Sequence, residues 1–131
     1  MADIDTTGST AVDIVKADLE GAGLEIGNFY KWRKPSSEEG DFVLLNDLDF
    51  RNECGVSRGY VQILVHCKDL RNGNISRQLA SNSQKVYERY LQETLLQGLL
   101  NVQSETIYAP EKVSDGTTYI CIRLAVYYTN Y

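Results

Sequence analysis

Two hydrophobic periods alternate along the chain, and the changes between them mark its elements. From Asn74 to Gly98 the spacing is helical. At about 100° per residue, Ile75, Leu79, Val86 and Tyr90 fall on one side, widened by Ala80, Ser83, Tyr87, Leu91 and Thr94. Arg77, Gln78, Ser81, Gln84, Lys85, Glu88, Arg89 and Gln92 occupy the other side, and Arg89 stands four residues before Glu93 as an opposite-charge pair. This reads as one long helix, with Asn72-Gly73-Asn74 as turn and N-cap and Gly98 as a left-handed stop. Leu95 and Leu96 point off the stripe, and Leu99 and Leu100 follow the glycine. A helix end that is apolar all round needs cover, from its own domain or from a neighbouring subunit.

In two further segments the period is two. In Gly59–Cys67, Val61, Ile63, Val65 and Cys67 alternate with Tyr60, Gln62, Leu64 and His66. In Thr118–Tyr128, Ile120, Ile122, Leu124 and Val126 alternate with Tyr119, Cys121, Arg123, Ala125 and Tyr127. The two segments share one design: an aliphatic face for helices to cover and an amphipathic face rich in Tyr. Ser104–Ala109 and the turn Ser114-Asp115-Gly116-Thr117 complete a hairpin with the second of them.

Upstream, Met1–Ser9 lacks periodicity and reads as a flexible arm. Ser9 or Thr10 then caps a short helix in which Val12, Val15, Leu19 and Ala22 repeat at three and four, ended by Gly21 and Gly23. Leu24–Arg33 has the β-formers Ile26, Phe29, Tyr30 and Trp32 and is stopped by Pro35. Lys34–Asp41 is a polar, exposed and mobile loop, Phe42–Leu45 a short strand, and Asn46–Arg58 irregular. The result is an α+β fold over residues 10–131, a mainly antiparallel sheet with two helices packed on one face, in the order α-β-β-β-α-β-β.

Composition narrows the function classes. With 131 residues, 43% hydrophobic and 24% charged, the chain suits one compact domain. A formal net charge of −5 argues against wrapping nucleic acid, which relies on clustered Lys and Arg, while leaving room for a local basic patch. No apolar run approaches a membrane span, and the small, acidic N-terminus is unlike a signal sequence, so cytosolic synthesis without membrane association is expected. Cys54, Cys67 and Cys121 are an odd set without C-x-x-C spacing, which reads as inert reduced thiols. Asn74-Ile75-Ser76 matches the glycosylation pattern, but its Asn is better placed as a helix cap.

Catalytic chemistry finds little support. Gly55-Val56-Ser57-Arg58-Gly59 matches G-x-S-x-G, yet a nucleophile elbow follows a strand and opens a helix, whereas this one precedes a strand. The one histidine, His66, comes nine residues later, where the elbow fold would place its His late in the chain. A lone His with scattered Cys does not build a metal site, and no dinucleotide or phosphate loop is present. The expectation is a non-enzyme with no catalytic, cofactor-binding or metal residues and no cofactor.

Nine Tyr against three Phe and one Trp points instead to contact surfaces, because Tyr tolerates both water and a dry interface. Ordinary half-exposed strand tyrosines are the bland alternative for any one of them. Tyr60, Tyr119, Arg123 and Tyr127 on the amphipathic face, Leu95 and Leu96 at the helix end and the terminal Tyr131 are the candidate contacts with other subunits or partners.

Taken together, the short N-terminal helix ending in Glu20-Gly21-Ala22-Gly23-Leu24, the strand Tyr60–Cys67 leading to the helix of Val86, Tyr90 and Leu91, and the closing hairpin ending in Ile120–Tyr128 resemble the tail-completion or tail-terminator (neck) proteins of tailed bacteriophages. The likeness runs from about Thr10 onward and lies in element order and hydrophobic pattern. It implies a structural virion protein, assembled in the host cytoplasm, that forms a commonly hexameric ring with copies of itself. Such a ring ends the tail tube, joins it to the connector and lets DNA pass through its lumen without specific binding. The acidic loop Lys34–Asp41 would lie at a face of the ring or in that lumen, where it would repel phosphate. Another neck or connector-ring adaptor fits the same element order. A small intracellular ligand- or protein-binding domain, using the sheet face or a pocket beside the helices, is the rival from a different class.

Overall fold

The computed structural model describes residues 4–53, 56–113 and 116–129, with the backbone alone for 4–9, 52–53 and 129. Two helices and seven strands follow in the order α1 (Ile4–Glu20), β1 (Phe29–Lys31), β2 (Phe42–Glu53), β3 (Val56–Lys68), α2 (Arg77–Arg89), β4 (Thr94–Leu96), β5 (Leu100–Ile107), β6 (Glu111–Lys112) and β7 (Thr117–Thr129). The strands form one sheet in the spatial order β1-β2-β3-β7-β5-β4, with β6 beside β7. Among the described residues only the β1–β2 pairing is parallel. The α+β class and the mainly antiparallel sheet agree with the periodicity, and two strands, β4 and β6, are added to the expected order.

The centre of the sheet is β3 against β7, paired without interruption from Val56↔Thr129 to Lys68↔Thr117. This register puts Val61, Ile63, Val65 and Cys67 of β3 beside Leu124, Ile122, Ile120 and Thr118 of β7, all buried on one face. The helices cover them: Val12, Val15 and Leu19 of α1 and Leu79 and Val86 of α2 are fully buried in the same core. Helix α1 touches β1 and β2 at one side of the sheet and also β4 at the far edge, so the sheet curls around it.

Both helices differ from the sequence reading at their ends. Helix α1 begins at Ile4, inside the expected arm, of which Met1–Asp3 lies outside the described residues. Thr6, Thr7 and Gly8 have weak helix propensity, and the tertiary anchorage of the following turns overrides it. Helix α2 starts after Ser76, whose hydroxyl accepts from the Gln78 amide, so Ser76 is the N-cap rather than Asn74. It stops at Arg89, and Ile75 stays exposed outside it.

What reads as the C-terminal part of a long helix is a hairpin. Thr94, Leu95 and Leu96 pair with Val102, Asn101 and Leu100. Gln97 and Gly98 in the turn both have positive φ, 53° and 64°, the geometry whose twist matches paired strands. The expected Arg89–Glu93 pair is replaced accordingly: Arg89 forks onto Asp18 of α1 at 2.8 and 3.2 Å, and Glu93 accepts from Tyr127. Tyr90, fully buried, also donates its hydroxyl to Asp18. Burial alone would push the Asp18 carboxyl up, but these hydrogen bonds and the Arg89 charge outweigh it and hold the group below its usual range. The ends of the two helices are thereby tied together.

The segment Asn46–Arg58 is not irregular. Strand β2 runs to Glu53 and pairs with β3, with one bulge. Leu48 faces Tyr60 and Arg51 faces Arg58, so Asp49 and Phe50 together stand opposite Gly59. Asp49 takes φ 54°, and the extra residue turns Phe50 inward to the core. Gly59 makes room for it, because a Cβ there would lie 2.5–2.8 Å from the Phe50 ring. In the other direction, the expected first strand shrinks to Phe29–Lys31, with Ile26 buried in the core before it. A second bulge, between Ser104 and Thr106, bends β5. Ser114 and Asp115 of the expected turn lie outside the described residues.

Gly59→Ala should destabilise the protein by about 1–3 kcal/mol in urea unfolding, the range for overpacked cores. In a Phe50→Ala background the same substitution should cost much less, since the ring that the new methyl would strike is gone. An unchanged midpoint for Gly59→Ala in the parent chain would show that Phe50 does not pack over this position.

Candidate functional site

The face of the sheet away from the helices collects the residues that the alternation singled out. Registers place successive rows across it: Phe42, His66 and Tyr119; Leu44, Leu64 and Cys121; Asn46, Gln62 and Arg123; and Leu48, Tyr60 and Ala125. A further row brings Arg51, Arg58, Tyr127 and Asn101 together, and Leu95 continues it on β4. Tyr60, Tyr119, Arg123 and Tyr127 are all half-buried here, among neighbours on adjacent strands.

The two ends of this face differ. At the start of β2 the Phe42 and His66 rings stack at 4.2 Å between centroids, and His66 and Tyr119 at 5.0 Å. Phe42 is buried, with the Lys34 ammonium 5.6 Å from its ring centroid. Loop Lys34–Asp41 is held over this end, since Glu38 accepts from the Tyr30 hydroxyl at 2.7 Å and its carbonyl accepts from Lys34 at 2.8 Å. The loop is exposed at Pro35, Ser36, Ser37 and Glu39, as expected, and these bonds tie it to its neighbours. Tyr119 donates to Glu111 of β6, and that bond raises the pKa of its hydroxyl.

About 26 Å further along β7, at roughly 3.3 Å per residue, the face is open. There a cleft of about 700 Å³ is lined by Asp49, Arg51, Arg58, Tyr60, Ala125 and Tyr127, among others. The Tyr127 hydroxyl donates to Glu93 at 2.6 Å, and that bond raises its pKa, keeping it a neutral donor. Beside the cleft the Arg123 guanidinium stands 5.1 Å from the Tyr60 ring centroid and 5.9 Å from that of Tyr108, held by both rings. Its Nε is buried with no hydrogen-bond partner, as is Oδ1 of Asn46 in the same row. Arg51, Arg58 and Arg123 form no ion pair among the described residues.

The remaining candidates separate. Leu95 is 56% exposed on the edge strand, whereas Leu96 is 7% exposed and belongs to the domain's own core opposite Leu100. Leu96 is thus corrected from contact residue to core residue, because adjacent strand positions face opposite sides. Leu91 and Leu99 are exposed near Leu95 in sequence, one after the helix and one in the hairpin turn. Tyr131 lies outside the described residues. Sequence reasoning missed Arg51 and Arg58, since the bulge that aligns them leaves no periodic signal.

The motif residues are accounted for structurally. Ser57 sits within β3, buried beside Tyr128, with strand around it rather than a strand-to-helix turn. Cys67 is buried on the helix-covered face, where desolvation pushes its thiol up to about 12, and burial raises Cys121 as well. Neither is activated as a thiolate. Cys54 and Gly55 lie outside the described residues. Among the described residues no group of three or more His, Cys, Asp or Glu is placed to hold a metal ion, and no helix is long and apolar enough to cross a membrane.

No family model and no curated protein matches the chain. Among solved structures 18 chains match, one of them with a TM-score of 0.65 over 94% of this chain and 93% of its own, at 12% identity. Likeness at that identity shows the fold alone.

Leu96→Ser should lower stability by roughly 2–5 kcal/mol, as for other truncations of buried leucines. Leu95→Ser should leave the melting temperature within about a degree of the parent, as for exposed positions. Equal losses for the two would contradict the opposite facing of these neighbours.

Proposed function

We propose that this protein is a structural component of a tailed-phage virion that forms a ring of its own copies at the head–tail junction, ending the tail tube and joining it to the connector. The supporting observation is the asymmetry of the sheet. Both helices bury one face, while the other carries Tyr60, Arg123 and Tyr127 around an open cleft. A closed ring needs two unlike side surfaces on each subunit that fit head to tail. The exposed leucines around the β4–β5 hairpin would supply one, and the opposite edge strand β1, with Trp32 exposed beside it, a second of different chemistry, leaving the open end of the sheet face to other partners. Partners above and below the ring would be the tail tube and the connector, with DNA passing through without specific contacts. The element order and hydrophobic pattern that resemble tail-terminator proteins support this reading, and another neck or connector-ring adaptor would use the same surfaces.

A second reading is a small intracellular protein- or ligand-binding domain. The cleft of about 700 Å³ favours it, because its size suits a ligand or a peptide.

Electron cryomicroscopy of assembled particles separates the two. A ring of symmetry-related copies at the junction is expected, even if the free chain is monomeric, since assembly proteins often associate only on a template. A single copy without a symmetry-related neighbour, or absence from the particle, would contradict the ring.

A further inference from the structure

Arg51 and Arg58 are directly opposed across β2 and β3 on the helix-free face. Like charges facing each other in a sheet are destabilising, and neither arginine has an ion-pair partner among the described residues. The pair makes a local positive patch in a chain whose net charge is −5. They converge on the cleft, with Arg123 beside Tyr60 adding a third positive charge near it.

We propose that this cleft binds an acidic peptide segment of a partner protein, with the guanidinium groups of Arg51 and Arg58 forking onto its carboxylates. The proposal rests on reading the helix-free face as a contact surface, and it adds the chemistry of the occupant. Directly opposed strand residues have Cβ atoms about 5 Å apart, so the two planar forks can take one carboxylate together or two successive ones. The Tyr127 and Tyr60 rings edge the same space, with the Tyr127 hydroxyl proton held by Glu93.

Carboxylates fit better than nucleic acid phosphates for three reasons. Tyr60 and Tyr108 already hold Arg123 against their rings, so they are not free as stacking platforms for bases. Asp49 lies in the cleft wall and would repel phosphates fixed in a backbone that passes it, whereas carboxylates on flexible side chains can turn toward the arginines and away from it. The chain's overall negative charge opposes a long polyanion but only weakly a local cluster at salt concentrations where screening acts over about 8–10 Å.

The test is calorimetric titration of the full chain with a capped hexaglutamate peptide, a capped hexaglutamine peptide and a six-nucleotide thymidine strand. Hexaglutamate should bind, more weakly as salt is added, and hexaglutamine should not. Arg51→Gln with Arg58→Gln should weaken hexaglutamate binding by about tenfold or more, the loss expected for charge-assisted bidentate contacts, while the melting temperature stays level or rises. Amide chemical shifts of the unaltered protein provide a check independent of the variant's folding, and they should move around Arg51, Arg58, Tyr60 and Tyr127. No binding of hexaglutamate, equal binding by the double variant, or shifts centred elsewhere would overturn the proposal. Tighter binding of the thymidine strand would overturn it in favour of nucleic acid. Self-association that is lost in the double variant and untouched by hexaglutamate would overturn it in favour of a second copy. Because the titration uses free protein, its failure leaves the ring reading standing, and absence of the ring leaves the titration standing.

Discussion

The uninterrupted pairing of β3 with β7 is the constraint on which the rest of the structure depends. It aligns the aliphatic residues of two strands far apart in the sequence into one surface, and that surface fixes where both helices pack. A slip of one residue would send every such side chain to the other face, so the hydrophobic alternation and the register enforce each other. Once both helices are committed to one side, the other side of the sheet has to be made stable by its own side chains. The stacked Phe42, His66 and Tyr119 rings and the Arg123 guanidinium between tyrosines do this.

The bulge at Asp49–Phe50 links this architecture to the surface. By placing two residues of β2 opposite Gly59, it sends Phe50 into the core and restores pairing with Arg51 opposite Arg58. The same deviation therefore completes the packing near the end of the sheet and concentrates positive charge beside the cleft. Bulges commonly sit where a strand re-aims a side chain for a contact. At the opposite end loop Lys34–Asp41 is tied down beside the stacked rings, whereas the open end carries arginines that form no ion pair among the described residues.

The faces of β3 and β7 are legible in the sequence because strict alternation over many residues fits a half-covered strand and little else. The same reasoning groups Tyr60, Tyr119, Arg123 and Tyr127, which share the face opposite to Ile63 and Ile122, and the register places them there. It fails where alternation is broken or the segment is short. Leu48 and Phe50 are two residues apart, yet a bulge stands between them and gives them different faces, so β2 reads as irregular. Thr94–Leu96 is too short to show a strand period and lies close behind a true helix, so the hairpin reads as that helix's continuation. Its one local signal is Gln97-Gly98 between two leucine pairs, a weaker cue than Asn-Gly or Asp-Gly.

The central claim is that the open end of the helix-free face is where this protein meets other chains. Oxidative footprinting of the free chain and of assembled particles, read tyrosine by tyrosine, tests it most directly. Tyr60 and Tyr127 should lose most of their labelling on assembly, while Tyr90, buried in both states, should stay unlabelled in each. Equal labelling of Tyr60 and Tyr127 before and after assembly would contradict the claim.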